Sequence, residues 1–144
     1  MRKFGILVAS ALVMGLSFTS CGSDDDSNNS SIVGKWNFST AKYTVNGTVT
    51  YNGPYDDNEV GCAADNVELF ANGTALETDY FNSDCDFDTY PSTYTRNGNT
   101  LTVTDDGDVN TLEILELTSN KLVLRSSYTF EGETEISEIT FIKA

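Results

Sequence analysis

The chain reads as an all-β protein, a small antiparallel up-and-down barrel of about eight to nine strands, and three observations predict it. Turn dipeptides recur at Asn46-Gly47, Asn72-Gly73, Asn97-Gly98, Asp106-Gly107, Ser119-Asn120 and Glu131-Gly132. From Asn97 onward they fall every 9 to 13 residues, the spacing of a meander. Between them lie runs rich in Thr, Val, Tyr, Ile and Phe, which suit a half-buried pleated surface, and no stretch shows a capped helical period. The third observation is a change of parity. Leu112 and Ile114 begin one apolar alternation, but the chain continues Leu115-Glu116-Leu117 on the other, and a second switch falls between Ile136 and Ile139. Each switch predicts a bulge. Bulges bend sheets, and closing a bent sheet removes its exposed edges.

The elements follow in order. The first strand opens at Gly34-Lys35-Trp36. Around Asn46-Gly47, a three-residue loop (46–48) sets Val45 opposite Val49 and Tyr43 opposite Tyr51, collecting apolar groups on one face. A long loop follows between Gly53 and Asp65 and carries Tyr55-Asp56-Asp57-Asn58-Glu59. Around Asn97-Gly98, a two-residue loop pairs Tyr94 with Leu101. Leu122, Leu124, Tyr128 and Phe130 share one face of a late strand. Pro54 and Pro91 stand near loops or strand starts, where a missing N–H does least harm.

A leader precedes this body. Met1-Arg2-Lys3, an apolar stretch from Phe4 to Phe18 and the small residues Thr19-Ser20 form a secretory signal peptide over residues 1–20. The apolar core falls short of the roughly 20 residues that span a bilayer. Cys21 then stands at the first mature position, the place of the acylated cysteine of a bacterial lipoprotein, which inserts its lipid chains, palmitate among them, into a bilayer. Residues 21–31 are a polar tether, and residues 32–144 are the folded domain. The run Ser23-Asp24-Asp25-Asp26 resembles the acidic export signal that sends lipoproteins of the Bacteroidota to the outer face of the outer membrane.

Charge and cysteines narrow the partners. The precursor carries −14, and loss of Arg2 and Lys3 with the leader takes it to −16. Such a balance argues against nucleic acid, which is held by Lys and Arg on phosphates, and against broad contact with anionic lipid. A single small domain of this kind is expected to be a monomer. With Cys21 acylated, Cys62 and Cys85 remain, and an even pair in an oxidising compartment reads as a disulfide. Two cysteines in a chain with no histidine make an incomplete zinc shell.

The ordered motifs carry a resemblance. Gly34-Lys35-Trp36 precedes Cys62, then Phe70-Ala71-Asn72-Gly73-Thr74, Cys85, Asn97-Gly98-Asn99-Thr100-Leu101 and Leu117-Thr118-Ser119-Asn120-Lys121-Leu122-Val123-Leu124. This order resembles the lipocalin-like domain lipoproteins of the Bacteroidota. The resemblance implies a calyx-like barrel with Trp36 plugging one end. It also implies a basic residue from a late strand over that ring, for which Arg125 is the only arginine available, although its parity opposes Leu122 and Leu124.

Without histidine the commonest general base is missing, and no phosphate-binding glycine loop occurs, so no enzyme is expected. Strand aromatics Trp36, Tyr43, Tyr51, Phe70, Tyr80, Tyr94 and Tyr128 are the candidates for filling the barrel or lining a pocket for one small apolar or aromatic ligand. Asp84, Asp86 and Asp88 alternate around Cys85 and would share a face in an extended segment. Ca2+ is the one cofactor this pattern raises. The sequence thus leaves two functions open: a surface lipoprotein that carries a small ligand, or a filled barrel whose loops meet a protein or a glycan.

Overall fold

The computed structural model describes residues 30–144, so the leader, Cys21 and nearly all of the tether lie outside the described residues. Nine strands follow in chain order: β1 (Gly34–Val45), β2 (Thr48–Pro54), β3 (Asn66–Leu69), β4 (Thr74–Tyr80), β5 (Phe87–Asn97), β6 (Thr100–Asp105), β7 (Asp108–Leu117), β8 (Lys121–Phe130) and β9 (Glu133–Lys143). All neighbours are antiparallel, and β1 also pairs with β9 from Trp36–Lys143 to Val45–Glu135, which closes the sheet.

The closure is eight-stranded, and β2 stands apart from it. One edge of β1 pairs first with β3, through Gly34–Asn37, and then with β2, through Thr40–Val45. β2 and β3 therefore occupy the place of one strand, interrupted by residues 55–65. Only β3 continues the ring to β4, through four paired positions from Asn66–Thr78 to Leu69–Ala75. The missing ladder is made good by side chains. Asp65 accepts a 2.8 Å hydrogen bond from the Tyr80 N–H, and Asn58 holds the Asp65 N–H at 2.9 Å and the Phe38 carbonyl at 3.1 Å. The Cys62–Cys85 disulfide ties the 55–65 loop to the loop between β4 and β5.

Two hairpin registers differ from those expected. At Asn46-Gly47 the loop has two residues, both at positive φ (50° and 81°), and Val45 pairs with Thr48. The pairing of Tyr43 with Tyr51 is restored by a bulge at Thr50 inside β2. The twist of the two-residue turn suits the strands better than a longer loop, so the extra residue moves inward. At the next expected two-residue loop, the turn residues are Gly98-Asn99, with Gly98 at φ 60°, and Tyr94 pairs with Val103. Glycine takes the first central position, which needs positive φ. The shift is by two residues, so every side chain keeps its expected face.

The bulge at Leu115 is present: Ile114 pairs with Leu124 and Glu116 with Val123. None occurs at Ile136, because β9 runs in unbroken register along β8 and turns Ile136 to the face opposite Ile139. The β1–β9 ladder instead carries a bulge at Ser39 of β1, opposite Thr140 and Phe141.

Candidate ligand site in the barrel

One end of the barrel is shut by packing. Trp36 is fully buried, and its indole N–H donates to the Ile32 carbonyl at 2.7 Å, so the segment before β1 folds across the end. Leu69, Tyr94, Leu101, Leu117, Leu122 and Phe141 pack with it in one core. Lys143 lies over the indole, its Nζ 4.1 Å from the ring centre, and donates to the Val33 carbonyl at 2.7 Å. A Cβ at Gly34 would fall 2.4 Å from Lys143 Nζ, and Gly34 has φ 125°. The Gly-x-Trp pattern is thus a seat for the lysine. Desolvation there pushes the Lys143 pKa down. The basic residue over the tryptophan is therefore Lys143 and not Arg125. Arg125 faces outward and pairs with Glu138 at 2.7 Å and Glu113 at 3.3 Å.

The other end is open. Behind the core lies a cavity of about 660 Å³, lined toward the floor by Phe38, Leu101, Leu122, Leu124, Ile139 and Phe141, on the β5 side by Ser92 opposite Ala75, and toward the mouth by Ser126, Ser137 and Tyr128. The inward face of β8 changes from Leu122 and Leu124 to Ser126. The inward face of β9 makes the same change, from Phe141 and Ile139 to Ser137. Small side chains at matching heights leave the space unfilled.

Glu77 of β4 is the single charged residue on this lining. Glu77 keeps an exposed surface at the cavity, and its pKa is raised by partial desolvation first and then by Asp79, Asp65 and Asp105. Asp65, itself buried, is also raised by desolvation, against which the Tyr80 N–H works. Tyr55 of the 55–65 loop packs on Phe38 with ring centres 4.5 Å apart, and burial with Asp57 holds its hydroxyl in the neutral form.

A sequence profile described as the lipocalin-like domain matches residues 32–124. The chain belongs to that family. The barrel is similar to a lipocalin-like protein from Bacteroides uniformis, at 16% identity and a TM-score of 0.50, covering 78% of this chain and 98% of the other. An uncharacterized protein from Bacteroides eggerthii gives 18% identity, the same TM-score and the same coverages. Bovine odorant-binding protein in complex with undecanal is similar at 16% identity and a TM-score of 0.47, over 85% of this chain and 77% of its own. No curated protein matches the sequence.

The lipocalin-like barrel distributes the expected aromatics unevenly. Tyr128 lines the cavity at its mouth and stacks on Phe130 at 6.4 Å. Trp36 and Tyr94 belong to the closed-end core, and the Tyr94 hydroxyl donates to the Phe70 carbonyl at 2.8 Å. Phe70 sits outside, in the turn between β3 and β4, because its backbone closes that turn through Thr74 and Gly73. Tyr80 packs against Phe87 at 5.6 Å. Tyr43 and Tyr51 stack on each other at 5.6 Å, and burial together with Asp56 pushes the Tyr43 hydroxyl up to about 12. Of the seven, only Tyr128 is on the lining.

The acidic alternation does not make a shared face. Cys85 has φ 59°, so the chain turns where an extended run was expected. Asn82 organises this turn: its side chain accepts from the Asp84 and Asp86 N–H groups and donates to the Asp86 carboxylate. Asp88 has already joined β5, opposite Asp79. Among the described residues, no three His, Cys, Asp or Glu side chains converge as a metal site requires. The lining residues that aromatic content does not reveal are Glu77 and the serines. Their signal is parity, since Glu77 follows Ala75 on the inward face of β4.

Proposed function

We propose that this lipocalin-like protein is a carrier or sensor that holds one small apolar or aromatic molecule in the open half of its barrel. The observation that carries this reading is the cavity of about 660 Å³ opposite Trp36. Pockets for small ligands run roughly 300–1,000 Å³, are mainly apolar and bear a few placed polar groups. The floor residues supply apolar contact, while Ser92, Ser126, Ser137 and the Tyr128 hydroxyl supply hydrogen-bonding partners. A filled interaction module is the weaker reading, because a barrel built only to present its loops has no use for serines facing inward.

In this reading the barrel works by binding, without catalysis. It hangs from acylated Cys21 on the residues 21–31 tether, on the outer face of the outer membrane. The leader, the cysteine at the cut and the acidic run after it support that address. Two measurements test these claims. Native mass spectrometry of protein purified from its own host should show a co-purifying small molecule released on denaturation. A diacylglyceryl mass on Cys21 and protease sensitivity on intact cells should accompany it. Protease resistance on intact cells would refute the outward placement.

A further inference from the structure

Resting on the carrier reading, the geometry points to a ligand that bears a protonated amine on an apolar body, with Glu77 as the group that recognises the charge. The cavity wall offers one ion and no counter-ion. Glu77 is the only charged lining residue, and among the described residues its carboxylate makes no hydrogen bond or salt bridge with the protein.

None of the described cations lines the cavity: Lys35 is exposed on β1 near the closed end, opposite Glu68 of β3, and the others are engaged elsewhere. Lys42 and Arg125 hold Glu138 on the outer face, Lys121 holds Glu116, Lys143 covers Trp36, and Arg96 donates to the Ser30 and Gly98 carbonyls at the closed end. The groups near Glu77 have its own sign: Asp79 on the same strand, Asp65 before β3 and Asp105 at the end of β6. A carboxylate in this setting is exposed to solvent in the cavity and repelled by its neighbours. An ammonium group brought in by a ligand relieves that repulsion and adds an ion pair that the protein itself does not supply. A carboxylate ligand adds a further repulsion, and an alcohol does neither.

The test displaces the neutral fluorophore N-phenyl-1-naphthylamine with three molecules of equal chain length: dodecylamine, dodecanol and dodecanoate, below their aggregation concentrations at pH 7 and 0.15 M salt. Dodecylamine is expected to displace at a concentration about tenfold below dodecanol, with dodecanoate weakest. In Glu77→Gln the amine should fall to the alcohol's range. Asp106→Asn, which removes one charge from the turn between β6 and β7, should keep the preference. Equal displacement by amine and alcohol in the wild type overturns the inference and leaves the carrier reading standing. A preference that persists in Glu77→Gln also overturns it, by assigning the attraction to the acidic surface. A fluorophore that never binds, with no thermal protection by any of the three, sinks the carrier reading and this inference together.

Discussion

The closed and open ends of the barrel are built from the same strands and obey opposite rules. At the closed end the inward residues are Trp36, Leu69, Leu101, Leu117, Leu122 and Phe141, all buried in one core. Four residues further along β8 and β9 the inward residues become Ser126 and Ser137, and Glu77 of β4 and Ser92 of β5 border the same empty space. The closed end contributes the apolar burial that stabilises the fold. The open end forgoes burial and even hosts a carboxylate whose ionisation is disfavoured. A chain selected only for stability would fill that space, and the proposed carrier function rests on this difference between the ends.

The largest effect should come from the closed end. Trp36→Ala removes the central ring and leaves Lys143 without its platform, and it should cost about 3–5 kcal/mol in urea unfolding. Should the loss stay below about 1 kcal/mol, the closed end would not be the stabilising half.

Next in size is the staple over the interrupted strand. Replacing Cys62 and Cys85 by serine frees a loop of 23 residues in sequence separation. The chain-entropy cost is about 3 kcal/mol. Thermal melting compared with the wild type measures it, and amide exchange should rise first in residues 55–65 and 81–86. Uniform exchange across the barrel would contradict the local role of the staple.

The smallest effect has the opposite sign and lies at the open end. The Glu77 carboxyl is held above its ordinary value of 4.5. The folded chain therefore binds that proton more tightly than the unfolded chain, and the ionised form costs stability at neutral pH. Glu77→Gln should raise the Tm at pH 7. The gain should shrink as pH falls through the folded value and disappear below about 4.5, where both states are protonated. A Tm lowered by the substitution at pH 7 would show that Glu77 serves the fold.

Much of the architecture was legible from period-two alternation and turn chemistry. Tyr43 opposite Tyr51, the bulge at Leu115 and the Cys62–Cys85 bridge follow from local pattern. Register at Gly98-Asn99 was less so, because Asn97-Gly98 and Gly98-Asn99 both satisfy a two-residue turn, and only the strand ladder chooses between them. The interruption between β2 and β3 has no local signal at all, since it depends on which edge of β1 each segment meets. The site was the least legible part. Large aromatics look like ligand contacts, yet Trp36 and Tyr94 were needed for the core, and the cavity exists where side chains are small. Lys143 over Trp36 was hidden for a similar reason, as the residue sits at the far end of the chain and meets Gly34 only on closure.

The central claim is that the open half of the barrel accepts a small apolar molecule, and one titration tests it directly. N-phenyl-1-naphthylamine is added to the wild type and to Ser126→Trp, which places an indole in the cavity from a position where serine leaves room. The expected result is saturable one-to-one binding with a Kd of about micromolar order in the wild type. In the variant, binding should be lost while the Tm is kept. Equal binding by both proteins, or none by the wild type, would contradict it.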